Sequence, residues 1–234
     1  MASATAMAVI SSSVSPLQVL DRSRASYSRT LSTLIAVGSA LFFATYLYAF
    51  VMTYRYARSN PRGLNKPSGV RLQRYAPAFY LFIVMSSLIE ISLTSWLLIQ
   101  DAYLRNSPNA QTHTAAVLLL FCACWTSLTG GTYSLLFLHP TWAEHPVASI
   151  GAQWIWVLAT WLLWLVGAGL LNGALPDLLV KARCMGLVYC SQIRGLFAIA
   201  VIEVLTLTVG MGVLVWLAWG SAANIRLPRR SGHI

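Results

Sequence analysis

Five uninterrupted apolar blocks dominate this sequence: Leu31–Tyr54, Ala76–Gln100, Thr114–Leu138, Ala148–Leu171 and Gly195–Trp219, each 24 or 25 residues long. As a helix, such a block extends about 36 Å at ~1.5 Å per residue, enough to cross a hydrocarbon core of about 30 Å with some tilt. A membrane span must close its own backbone hydrogen bonds, which leaves helices or a sealed barrel. Barrel strands would be about ten residues long with strict alternation, and these blocks do not alternate. Composition points the same way. The chain is 57% hydrophobic and 9% charged, with a mean hydropathy of +0.66, where a soluble domain carries roughly 25% charged residues. The expectation is an all-α, polytopic transmembrane helical bundle with five spans.

The breaks are rich in turn formers. Tyr54–Tyr75 holds Asn60-Pro61-Arg62-Gly63 and Asn65-Lys66-Pro67-Ser68-Gly69, Asp101–His113 holds Asn106-Ser107-Pro108-Asn109, and His139–Val147 carries Pro140 and Pro146. Asn172–Arg194 contains Pro176, Asp177 and two cysteines. Residues 1–30 read as a flexible Ser/Ala-rich head, 31–54 as a separate first span and 220–234 as a basic tail ending in Arg229-Arg230. A cleaved secretory signal places its charge before a short apolar core. Here the apolar stretch starts after residue 30 and has full membrane length, so it reads as a retained anchor. The head has Asp21 as its one acid, which leaves a mitochondrial presequence as the alternative.

The net charge of +10 sits in loops flanking apolar spans, with no basic domain interleaved with aromatics to read bases. No nucleic-acid partner is expected. The charge instead sets topology and contacts anionic headgroups. With five spans, one side receives Arg22, Arg24, Arg29, Arg105, Lys181, Arg183 and Arg194. The other receives Arg55, Arg58, Arg62, Lys66, Arg71, Arg74, Arg226, Arg229 and Arg230. Six basic residues follow the first span closely and three precede it. Positive-inside then places Tyr54–Tyr75 and the C-terminus in the cytoplasm and the N-terminus outside. In that orientation Cys184 and Cys190 face an oxidising side where a disulfide persists; two free thiols at the membrane edge are the alternative. Cys122 and Cys124 lie within the third span as small packing residues. Two cysteines without a nearby histidine do not complete a zinc site.

Several segments carry a family likeness: Phe82-Ile83-Val84-Met85-Ser86-Ser87-Leu88-Ile89-Glu90, Leu120-Phe121-Cys122-Ala123-Cys124-Trp125-Thr126 and Ala159-Thr160-Trp161-Leu162-Leu163-Trp164-Leu165-Val166-Gly167-Ala168. Cys184, Tyr189-Cys190-Ser191-Gln192 and Val201-Ile202-Glu203-Val204-Leu205 complete the set. In this order, residues 75–219 resemble a MARVEL domain, specifically the fungal (basidiomycete-like) four-helix membrane proteins of that family. The resemblance implies a four-helix membrane domain with cytoplasmic ends and a role in membrane apposition, vesicle trafficking or sterol- and sphingolipid-rich microdomains. The Leu31–Tyr54 span is additional to that pattern.

Two ionisable groups lie inside the spans. Glu90 is flanked at helical spacing by Ser86, Ser87 and Thr94, and Glu203 by Thr206 and Gly210. Intramembrane acids are costly and mark functional sites by default. Glu90 lies ten residues from its span's outer end and Glu203 eight from its own. Their depths therefore differ by about 3 Å, and on neighbouring helices they would share a common interior. Structural hydrogen bonding between helices, lipid or partner recognition, and proton-linked transport all remain open for Glu90, Glu203, Ser87 and Thr206. A transporter would show broken helices or repeats, yet no proline falls inside a block, Pro77 being at an edge. Polar stripes recur at Ser32, Ser39, Tyr46 and Thr53, at Cys122, Thr126, Thr129 and Tyr133, and at Gln153, Thr160, Trp164 and Gly167. Such faces turn inward.

Nine tryptophans are present. Trp142, Trp216 and Trp219 fall at membrane edges as interfacial anchors. Trp154, Trp156, Trp161 and Trp164 crowd one helix as packing or as a flat lipid-facing surface. His113, His139, His145 and His233 have no metal-ligand spacing, and no G-x-S-x-G, H-E-x-x-H or phosphate loop occurs. The chain therefore reads as non-catalytic, without cofactor or metal. It is expected to organise membrane domains or traffic in the plasma membrane or secretory pathway. Its expected partners are lipids (sterol or sphingolipid), further copies of itself or other membrane proteins. The alternative is a small proton-linked transporter or channel using the intramembrane acids.

Overall fold

A computed structural model describes residues 16–59, 67–104, 109–139, 150–176, 178 and 189–226. The protein is all-α, and these residues form five helices: α1 (Pro16–Ser59), α2 (Pro67–Leu104), α3 (Ala110–Leu138), α4 (Ile150–Ala174) and α5 (Cys190–Arg226). Each is long and apolar enough to cross a membrane.

The helices overrun the apolar blocks. α1 starts at Pro16, so half of the segment read as a flexible head continues the first span, and α5 carries seven residues of the expected tail. Pro16 and Pro67 sit at helix starts, where the missing proline N–H is no loss. Pro77, read from the sequence as an edge residue, lies well inside α2. Hydropathy marks where lipid begins; a helix ends only where capping or proline chemistry ends it.

α2 packs on α3, α3 on α4, α4 on α5, and α5 returns to α2, closing a four-helix ring. Neighbours run antiparallel. Tyr80 stacks on Tyr133 and Phe137 at one end of the α2–α3 pair. At the other end Asn109 caps α3: its Oδ1 accepts from Thr112 N at 2.6 Å, and its Nδ2 donates to Ala174 O of α4 at 3.1 Å. Leu119, Trp164, Leu171, Leu196 and Leu207 fill the ring and are almost wholly buried. Close approach is set by glycine. A Cβ on Gly210 would run into the Phe79 ring, and one on Gly167 would come within 2.8 Å of Leu119 Cδ2.

α1 lies outside the ring, against α2 and α3. Its polar stripe makes the seam: Gln100 Nε2 donates to Ser28 Oγ at 2.8 Å, Ser92 Oγ to Ser39 Oγ at 2.9 Å, and Tyr46 and Ser134 share a hydroxyl hydrogen bond of 2.8 Å. Tyr46 also seats on Gly131 and packs with Val84 and Leu88.

Candidate functional site

The site is assembled where α2 and α5 pack side by side in the ring. Glu90 on α2 and Glu203 on α5 are both 0% exposed. They occupy these positions because each lies on the buried stripe of its helix: Ile83, Ser87, Glu90 and Thr94 on α2, Leu196, Ala200, Glu203 and Leu207 on α5. Ser86 Oγ lies 2.5 Å and Ser87 Oγ 3.2 Å from Glu203 Oε1, both donating to it. The α5 acid is thus level with the turn before Glu90, whereas residue counting puts it about two residues beyond Glu90 toward Gln100. Ser86 and Ser87 stand one turn before Glu90 on α2, which puts the two acids within about two turns of each other along that helix.

Saturation is uneven. Glu203 Oε1 accepts two hydroxyls, while Glu203 Oε2, both Glu90 oxygens, Thr94 Oγ1 and Ser127 Oγ have no hydrogen-bond partner among the described residues. Ser86 Oγ also reaches Phe82 O at 2.8 Å and Ile83 O at 3.1 Å with its one hydrogen. The same oxygen can therefore accept from a protonated Glu203 while donating to Phe82.

Of the residues expected to act together, Glu90, Glu203 and Ser87 meet. Thr206 does not. It stands three residues on, about 60° round α5 from Glu203. Its hydroxyl donates to Ile202 O at 2.8 Å on a partly exposed face. Gly210 likewise faces Phe79 instead of the acids. Ser86 brings the shorter of the two contacts to Glu203. Trp216 and Trp219 are 61% and 77% exposed toward the end of α5, and Trp142 lies outside the described residues. Cys190 is disulfide-bonded, Cys122 and Cys124 are free thiols, and Cys184 lies outside the described residues.

Sequence reading missed the pairing of indoles with threonines. Trp164 Nε1 donates to Thr126 Oγ1 and Trp156 Nε1 to Thr129 Oγ1, each at 2.9 Å, across α3–α4. Trp125 Nε1 reaches Thr160 Oγ1 at 3.3 Å, and Trp161 Nε1 reaches Thr208 Oγ1 of α5 at 2.9 Å. Most of these threonines in turn donate to a carbonyl one turn back in their own helix. The signal was present in the inward stripes, but the partner of each indole depends on helix rotation. At the rim, Tyr189 takes a left-handed φ of 64° just before α5 and sets its ring edge-on to Trp96 at 4.9 Å.

Elsewhere, an open notch of about 350 Å³ lies between the start of α3 and the end of α4, lined by Ala110, Thr114, Gly169 and Gly173 among others. Among the described residues, no group of three His, Cys, Asp or Glu side chains is placed to hold a metal.

The chain matches no family model, no curated protein and no solved structure.

Proposed function

We propose that this protein is a non-catalytic, multi-pass membrane organiser, shaping membrane domains or traffic through lipid and helix contacts. The carrying observation is the way α1 is held. Only 6% of its most apolar stretch is buried, against 50% for α3, so most of a full-length span is presented sideways. Such a surface suits sterols, sphingolipids, a second copy of the chain or another membrane protein. The likeness of residues 75–219 to MARVEL domains supports the same reading. So does a ring whose indole N–H groups at four positions are hydrogen-bonded to threonine hydroxyls, leaving an apolar outer wall. The accompanying topology is a cytoplasmic C-terminus and an outer N-terminus in the plasma or secretory-pathway membrane, from the basic residues that follow the first span.

The test is reconstitution of the full chain. In giant vesicles with coexisting ordered and disordered phases, the protein should concentrate in one phase and change domain size. In sealed liposomes, proton and solute movement should not exceed that of protein-free controls. A second reading, a proton-linked carrier, rests on the three carboxyl oxygens without partners among the described residues. Specific flux that disappears in both Glu90→Gln and Glu203→Gln would replace the organiser by that carrier.

A further inference from the structure

α1 carries two rows of side chains at a seven-residue spacing, each step about 20° short of two full turns. The inward row, Ser32, Ser39, Tyr46 and Thr53, turns toward α2 and α3, where Ser39 and Tyr46 make the seam. The outward row is Tyr27, Leu34, Leu41 and Tyr48, each 62 to 66% exposed, and Arg55 continues it. Tyr56, on the seam side, stacks on His139 at the end of α3, with ring centroids 5.5 Å apart. Arg55 and Arg58 are left exposed, away from the ring.

The end of the bundle where α1 stops gathers charge of one sign. The antiparallel order brings the first turns of α2, with Arg71 and Arg74, and the last turn of α5, with Arg226, to the end that holds Arg55 and Arg58. Of the chain's six acids, Glu144 alone belongs to that end by its place in the sequence. Glu90 and Glu203 are enclosed in the ring, and the Asp101–His113 contact lies at the opposite end. Among the described residues, Arg55 and Arg58 have no carboxylate partner. Arginines at a membrane boundary attract anionic headgroups, and a guanidinium plane matches a phosphate through paired hydrogen bonds. The row above them suits the rest of such a molecule. Tyr48 to Leu34 spans about 21 Å by helical rise, more than the ~15 Å that one acyl chain crosses in its leaflet. A second copy suits the row less well. Copies inserted in one orientation would meet through it in parallel, setting Arg55 and Arg58 against the same two residues. A sterol would leave both guanidinium groups without a counter-charge.

We propose that the outward row of α1 and its Arg55–Arg58 end bind one anionic phospholipid, with its phosphate on the guanidinium groups and an acyl chain along Tyr48, Leu41 and Leu34. The proposal rests on the reading of α1 as a lipid-contacting face, and it is read by lipid binding itself so that it can fail apart from phase partitioning. The full chain in neutral detergent is titrated with phosphatidylserine or phosphatidylcholine, and bound lipids are counted by native mass spectrometry. The first phosphatidylserine should bind several-fold more tightly than the first phosphatidylcholine. Arg55→Gln combined with Arg58→Gln should remove most of that preference. Arg22→Gln combined with Arg24→Gln, at the other end of α1, should keep it. In phosphatidylcholine bilayers, phosphatidylserine bearing a diazirine on its acyl chain should photolabel residues 34–48, and the Arg55, Arg58 double variant should lose that label. Equal binding of the two lipids, a preference that survives loss of both arginines, or one lost equally with Arg22 and Arg24 overturns the proposal. So does photolabelling that falls on α4 or α5 in place of α1. Energy transfer between two labelled copies that falls in Leu34→Ala with Leu41→Ala, without any headgroup preference, gives the row to a second copy and overturns it too. A chain that shows the preference and the label but leaves membrane phases unchanged keeps this site and loses the organiser.

Discussion

α1 and the ring it leans on face the same lipid but are joined by different physics. α1 is fastened by hydroxyl and amide contacts at three depths, Ser28–Gln100, Ser39–Ser92 and Tyr46–Ser134, each between partners in good reach. The ring has polar contacts of its own in the indole–threonine pairs but adds enclosed shape: Trp164 and Leu119 fully enclosed, Gly210 admitting Phe79, Gly130 admitting Trp156. Lipid tails are as apolar as leucine, so apolar area alone does not draw helices together in a bilayer. A helix on the outside therefore needs satisfied polar contacts to stay. A ring that is already closed by packing can keep acids with open oxygens at its centre.

That contrast ranks the expected effects. Trp164→Ala removes the largest enclosed side chain and its bond to Thr126, and should cost about 3–5 kcal/mol, read by denaturant titration in mixed micelles. A cost below that of any α1 seam variant would break the comparison. Gly210→Ala should cost about 1–3 kcal/mol by overpacking against Phe79. Combining it with Phe79→Leu should recover most of the loss, and purely additive effects in the double variant would show that the close approach is not what matters. Glu203→Leu should lose on the order of 1 kcal/mol for each interhelical hydrogen bond from Ser86 and Ser87, while Glu203→Gln, which keeps an acceptor, should be nearly silent for folding. Smaller than the Glu203→Leu loss, Tyr46→Phe should cost about 0.6 kcal/mol, the average for such bonds in a membrane. The companion measurement is a cross-link: Ser39→Cys with Ser92→Cys should oxidise readily, since their hydroxyls are 2.9 Å apart. If that pair stays reduced under oxidant, α1 does not sit where the seam puts it.

The spans were legible because membrane thickness imposes one length on every apolar block. The rough depth of Glu90 and Glu203 was legible too, since depth follows from counting residues to a span's end, but the count put Glu203 on the Gln100 side of Glu90 and the structure puts it on the Ser86 side. Rotation was not. Counting put Thr206 beside Glu203, but its hydroxyl turned to its own helix, and Ser86 from the facing helix took the carboxyl instead. Helix ends were misjudged at Pro16 and beyond Trp219 because polar residues stop a hydropathy run without stopping a helix. The seat of α1 needed the Ser39, Tyr46 stripe to be matched to particular partners, Ser92 and Ser134, and no pattern within one helix specifies that match.

The indole–threonine pairs bear on how the protein meets bilayers of different thickness. A tryptophan at the headgroup level fixes a helix to that plane, and any change in thickness then tilts or strains it. Trp125, Trp156, Trp161 and Trp164 spend their N–H groups on threonines of neighbouring helices instead. The α3–α4–α5 wall is therefore pinned to itself and not to the water boundary. It can meet thinner and thicker bilayers as a rigid body, with the adjustment confined to exposed ends such as Trp216 and Trp219.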